Sequence, residues 1–274
     1  MLNLLKEMLE YPFMARAFTA GTLIALCAAL LGVSLVLKRY SMIGDGLSHV
    51  GFGSLALATA LNAAPMAVAI PIVVIASVFM LWIAQNSRIN GDAAIALIST
   101  GSMAVGVMII SMTNGMNVDV YNYLFGSILS MSRGDVLLST ALSAIVLLLF
   151  ILFYNRIFSV TFDESFARAT GTNAGMLNVI IALLTALVIV LGMRMMGALL
   201  ISALIVFPAL TSMRICKTFR TVIINSSVIA ILCLWVGLTL SYLFGTPSGA
   251  SIVVCNIGAF CIYGLIGQAG QKNA

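Results

Sequence analysis

The stretch Lys38–Gly53, KRYSMIGDGLSHVGFG, decides how the chain is read, because it places the single histidine, one of eight acids and four glycines directly after a long apolar run. Asp45 and His49 stand four residues apart, so on a helix both side chains leave one face, about one turn from each other. That spacing suits two ligands on one cation. A carboxylate at mid-membrane costs roughly 2.5–3.5 kcal/mol or more, which makes an intramembrane acid a functional candidate by default. For Asp45 alone the alternative is a wet carboxylate in a turn over Ser41–Gly46. His49, one turn further into the apolar run, favours the paired site.

Working outward, composition sets the class. The 274 residues are 62% hydrophobic and only 8% charged, with a mean hydropathy of +1.18. No soluble domain has this balance. Charge-free runs exceed the ~20 residues that a helix needs to cross a bilayer, and they recur from end to end. Short alternating strands of the kind that build a membrane barrel do not occur. The expected fold is therefore all-α, a single polytopic membrane domain over residues 1–274 with eight or nine transmembrane helices.

The expected spans begin with Ala17–Leu37, which ends in Lys38-Arg39 and not in a small-residue cleavage site, so it reads as a retained span. Residues 1–16 suit a short amphipathic helix along the bilayer surface. The charge-free segment Val50–Ser87 divides at Asn62-Ala63-Ala64-Pro65 into two spans. Further spans are expected at Ala93–Met112, Val136–Tyr154, Asn173–Met193 and Met195–Met213, with two more in Thr221–Gln271 on either side of Gly245–Gly249. Tyr121–Met131 is too short to cross and suits a re-entrant segment. Arg133-Gly134-Asp135 reads as a connecting turn.

Lysine and arginine orient the chain, since cytoplasmic loops hold them in excess. With Lys38-Arg39 inside, alternation through nine spans puts nine of the 13 basic residues on the cytoplasmic side and four outside or at the interface. The same alternation starts the helices of Asp45 and Asp92 from one face. A site built from Asp45, His49 and Asp92 is then geometrically permitted; the alternative for Asp92 is an acid capping a helix start. The net charge of +5 is spread too thinly to follow a phosphate backbone, so no nucleic-acid partner is expected. Five cysteines without a CxxC pair, mostly inside apolar runs, suggest neither disulfide nor zinc knuckle.

Several stretches carry a family resemblance. IGDGLSHVGFG, GDAAIALISTGSMAVG, VTFDESFARATGTN, VLGMRMMGALLISALIVFPALTSMR and TPSGASIVV, in this order, resemble the permeases of zinc, manganese and iron ABC importers, the ABC-3 family. The resemblance runs from about Ala17 to Ile266. It implies a homodimeric permease in the bacterial cytoplasmic membrane, two cytoplasmic ATP-binding subunits and an extracytoplasmic solute-binding protein that delivers the metal. It also implies that Asp45 and His49 form the metal site of the path, with Asp92 matching a further acid. The transported ion, Zn²⁺, Mn²⁺ or Fe²⁺, is cargo, and no permanently bound cofactor is expected. Gly46 stands where alanine is common, and Gly91-Asp92 where Glu-Asp or Lys-Asp is frequent, a departure that bears on local charge and metal preference.

The residues' chemistry agrees with that implication. A carboxylate and a neutral imidazole suit these borderline or hard ions, and the absence of thiolates near the pair argues against Cu(I). Few ligands leave open positions, as release demands. In the polar connection 155–172, Phe162, Asp163, Glu164, Phe166, Ala167, Arg168 and Gly171 read either as a solvated loop or as a short amphipathic helix seated in a partner's groove; the resemblance favours the second, as the coupling segment to the ATPase. No GxxxxGK[ST] phosphate loop is present, so ATP hydrolysis is expected on another subunit and the chain itself is not read as an enzyme. The competing readings are an ion-coupled carrier, whose mark would be an inverted repeat, and an intramembrane enzyme, for which no nucleophile is evident.

Overall fold

A computed structural model describes residues 10–86, 91–113, 124–126 and 132–272. Among these residues there are helices and no strands. In chain order they are α1 (Pro12–Leu37), α2 (Ser41–Ala60), α3 (Pro65–Asn86), α4 (Gly91–Met112), α5 (Arg133–Leu152), α6 (Tyr154–Phe162), α7 (Glu164–Ala169), α8 (Ala174–Met196), α9 (Ala198–Met213), α10 (Phe219–Phe244) and α11 (Ser248–Lys272). Seven of them, α1, α3, α4, α5, α8, α10 and α11, are long and apolar enough to cross a bilayer. The expected count of eight or nine is thus met only to seven by this measure, because α2 is too polar and α9 too short.

The polarity of α2 has a structural explanation. Its glycines, serines, Asp45 and His49 lower its hydropathy, yet it packs against α1, α3, α4, α8 and α9. Neighbouring helices cover Ser48, Ser54 and most of His49, so the helix need not be apolar all round. α1 and α8 share the interior, whereas α4, α5 and α11 leave most of their surface uncovered. Their outward side chains are large and apolar, including Leu97, Met108, Leu137, Leu148 and Leu265. Hydrocarbon is the solvent that such faces require.

The helix ends show how sequence sets the turns. Arg39 N–H donates to Val36 and Tyr40 N–H to Leu35, closing α1 with Arg39 at φ +61°. This is the Schellman arrangement, with arginine where glycine is usual. Asn62 at φ +51° ends α2 in the same way, its N–H on Thr59 and that of Ala63 on Ala58. α7 repeats the pattern with Gly171 at φ +83°. Ser132 and Asp135 form a reciprocal capping box at the start of α5. The expected connecting turn Arg133-Gly134-Asp135 is therefore the first turn of α5, and this span begins three residues earlier than expected.

Other boundaries shift as well. α2 starts at Ser41, nine residues before the expected second span, so Asp45 lies on a helix and not in a turn. Pro12–Arg16 belong to α1, since proline at a first helical position fits a helix start; the remainder of the amphipathic segment expected over residues 1–16 lies mainly outside the described residues. So does most of the re-entrant segment expected over 121–131. Of that segment, the Leu124 carbonyl lies against Gly197, which has φ +86° and separates α8 from α9. Gly192 and Ile201 then meet across Gly197, so the chain reverses there.

Candidate metal site and coupling elements

The glycines of α2 let its neighbours approach. Gly44 faces Ile205 of α9, Gly46 faces Met80 of α3 and Ile95 of α4, Gly51 faces Met193 of α8, and Gly53 faces the Ser102 carbonyl of α4. A Cβ at Gly46 would stand 2.8 Å from Ile95, and one at Gly53 would stand 2.8 Å from the Ser102 oxygen. Both pairs have the same residue offset, so α2 and α4 run parallel in a fixed register.

On this helix Asp45 Oδ2 and His49 Nε2 stand 3.7 Å apart. That separation is too long for a hydrogen bond. Two coordination bonds of about 2.0–2.2 Å span it, so one ion fits between the two atoms. The imidazole is 14% exposed and the carboxylate 41%. The imidazole is thus fixed by packing and the carboxylate is accessible. His49 Nδ1 is buried without a hydrogen-bond partner among the described residues. Ser48 Oγ donates to the Asp45 carbonyl within the helix at 2.7 Å.

Asp92 sits in the first turn of α4. The register sets it level with Ile43, nearer than Asp45 to the α1–α2 turn. There it lines a cavity of about 530 Å³ together with Lys38, Arg39, Tyr40, Ala84, Ala93 and Ile95. The structure brings Asp45 and His49 together; no group of three His, Cys, Asp or Glu able to hold an ion occurs among the described residues.

The segment after α5 is helical. Ile157 and Val160 of α6 and Ala167 of α7 are buried, while Phe158, Phe162 and Phe166 are exposed. Phe158, Phe162 and Phe219 form an aromatic cluster with ring centres 5.0–5.8 Å apart. Asp163 caps α7 by accepting from the Phe166 N–H at 2.9 Å. Glu164 and Arg168 pair across one turn at 2.7 Å. Gly171 adopts a left-handed φ that lets the chain leave α7 for α8.

Two residues in this region escaped sequence reasoning. Lys38 counted only as an orienting charge, and Asn178 only as part of an apolar span. Lys38 Nζ, on a side chain 7% exposed, donates to Glu164 Oε2 at 3.1 Å, to the Val160 carbonyl at 3.2 Å and to Asn178 Oδ1. Asn178 Nδ2 donates to the same Glu164 oxygen at 3.1 Å. Burial raises the Glu164 carboxyl, but hydrogen bonds from Arg168, Asn178 and Lys38 outweigh it and hold the group at about 2. Burial also pushes the Lys38 ammonium below its usual range, with Glu164 opposing that shift. A single asparagine early in an apolar run was the only signal for this network.

These features define a multi-pass helical membrane protein with a carboxylate–imidazole pair on an enclosed helix. The model of the ABC 3 transport family matches residues 10–266, and the chain belongs to that family. It is 30% identical to the high-affinity zinc uptake system membrane protein ZnuB of Haemophilus influenzae, over 90% of this chain and 94% of that one. It is 29% identical to the manganese transport system membrane protein MntC of Halalkalibacterium halodurans, over 90% and 85% respectively. Among solved structures, PsaBC from Streptococcus pneumoniae in complex with Fab superimposes with a TM-score of 0.86 at 27% identity, covering 96% of this chain and 94% of that one.

Proposed function

We propose that this chain is the membrane-spanning permease subunit of an ATP-driven importer of a divalent transition metal, manganese or zinc, with iron as the third candidate. The observation that carries the reading is the Asp45–His49 pair, two hard-to-borderline ligands 3.7 Å apart on an otherwise packed helix. The relatives named for manganese and zinc transport support the choice of metals. Asp92 serves as a further acid on the route, at the α1–α2 end of the pair.

α2 and α9 join the seven apolar helices to give nine crossings. A 20-residue α2 is about 30 Å long, enough to cross. The reversal at Gly197 supports a separate crossing for α9. The amino-terminal side of α1 is then extracytoplasmic, and α6–α7 are cytoplasmic.

Energy comes from separate ATP-binding subunits, consistent with the lack of a phosphate-loop motif here. The exposed Phe162 and Phe166 on α6–α7 supply an apolar surface for such a subunit. A second copy of the chain covers the accessible side of Asp45, and an extracytoplasmic solute-binding protein delivers the ion. The test is purification with the partner ATPase, followed by reconstitution with the delivery protein. Metal-stimulated ATP hydrolysis and uptake of Mn²⁺ or Zn²⁺ are the expected results. Absence of uptake of either ion, and of Fe²⁺, contradicts the reading.

A further inference from the structure

The Lys38 ammonium ties the α6–α7 segment to the turn that leads into α2. All three of its donor positions are used: one on the Val160 carbonyl of α6, one on Glu164 of α7, and one on Asn178 of α8. The lysine itself caps the end of α1, and Ser41 begins α2 three residues later. Asp45 follows one helical turn further on and His49 a turn after that.

The turn between Lys38 and Ser41 is not relaxed. Arg39 holds a left-handed φ of +61°, uncommon for a residue with a Cβ and held here by the Schellman bonds that close α1. Its neighbours on either side are fixed by the closing bonds of α1 and by the Lys38 side chain. Moving Glu164 therefore acts on a constrained turn and not on a slack loop. Because α2 is a continuous helix from Ser41 to Ala60, a change in its entry angle moves Asp45 and His49 with it.

We propose that Lys38 is a positioning residue that transmits displacement of α7 to the metal-binding pair, by fastening Glu164 and Asn178 to the turn that aims α2. This rests on the reading of α6–α7 as the docking element for an ATP-binding subunit. Lys38 does not touch the cargo. It converts a shift of the cytoplasmic segment into a reorientation of the helix that carries the ligands.

The test uses the complete importer, the chain with its ATP-binding subunit and delivery protein, in vesicles of phosphatidylethanolamine and phosphatidylglycerol. The readout is Mn²⁺ or Zn²⁺ moved per ATP hydrolysed. In Lys38→Met, hydrolysis stays within about twofold of wild type while metal moved per ATP falls by about tenfold or more, the scale of a typical coupling between sites. Where Lys38→Met is not recovered as an intact complex, Glu164→Gln, which keeps the shape of the side chain but lies on the docking element, is read by metal moved per ATP alone, and that ratio falls as in Lys38→Met. A wild-type ratio in Glu164→Gln or Lys38→Met overturns the proposal, as does a proportional fall of hydrolysis and uptake together. A wild-type complex that hydrolyses ATP without moving any metal instead contradicts the importer reading itself.

Discussion

Gly53 of α2 lies so close to Ser102 of α4 that a Cβ at Gly53 would come within 2.8 Å of the Ser102 carbonyl oxygen. The contact belongs to a register that also places Gly106 against Gly53 and the Phe52 ring. Backbone approach of this kind, without hydrocarbon between the helices, is how transmembrane helices gain van der Waals contact. It also sets which residues of α4 accompany Asp45 and His49.

Overfilling this seam is therefore destabilising. Gly53→Val or Gly106→Val is expected to cost about 1–3 kcal/mol, the usual scale of overpacking. Gly101 on α4 has open space around its Cα, so Gly101→Ala is expected to be neutral or to stabilise by up to about 1 kcal/mol. Thermal midpoints in detergent distinguish the two cases. Equal midpoints for all three variants contradict the described packing.

Gly197 and Gly171 separate steric overlap from backbone strain. Both have positive φ, but a Cβ at Gly197 would meet the Leu124 carbonyl oxygen at 2.1 Å, whereas nothing lies within 4 Å at Gly171. Gly171→Ala carries the conformational penalty alone, about 1–2 kcal/mol. Gly197→Ala adds a backbone collision to strain of about 1–3 kcal/mol, and a much lower yield of folded protein is expected. Comparable yields of the two variants by size-exclusion chromatography would argue against the reversal at Gly197.

The low titration of Glu164 gives a signed pH dependence. An ordinary glutamate titrates near 4.5, and this one is held at about 2 in the folded chain. Above about pH 5 it is ionised in both states and its contribution to stability is complete; as pH falls from 4.5 towards 2 the unfolded chain takes up the proton first and the contribution is lost. The midpoint of the wild-type protein is expected to fall across this window more steeply than that of Glu164→Gln. Parallel curves contradict the network around Lys38.

Much of this organisation was legible in the chain. Apolar runs gave the long spans because bilayer thickness fixes a minimum length, and the spacing of Asp45 and His49 gave their meeting because one helix imposes it. What escaped depended on contacts between distant residues. Lys38 meets Glu164 and Asn178 across 126 and 140 positions, and no local pattern reports such a contact. The full length of α2 was missed because its glycines and serines resemble a loop; only its neighbours make a polar helix tolerable there. The start of α5 was missed because Ser132 and Asp135 read equally well as turn residues until the reciprocal cap is seen.

The most direct measurement of the central claim is uptake of Mn²⁺ and Zn²⁺, by elemental analysis, in cells whose own copy is replaced by Asp45→Asn or His49→Ala. Each variant removes one member of the Asp45–His49 pair. We expect uptake to be abolished while the chain still reaches the membrane and retains its ATP-binding partner. Uptake at the wild-type rate in either variant contradicts the assignment of this pair as the metal site.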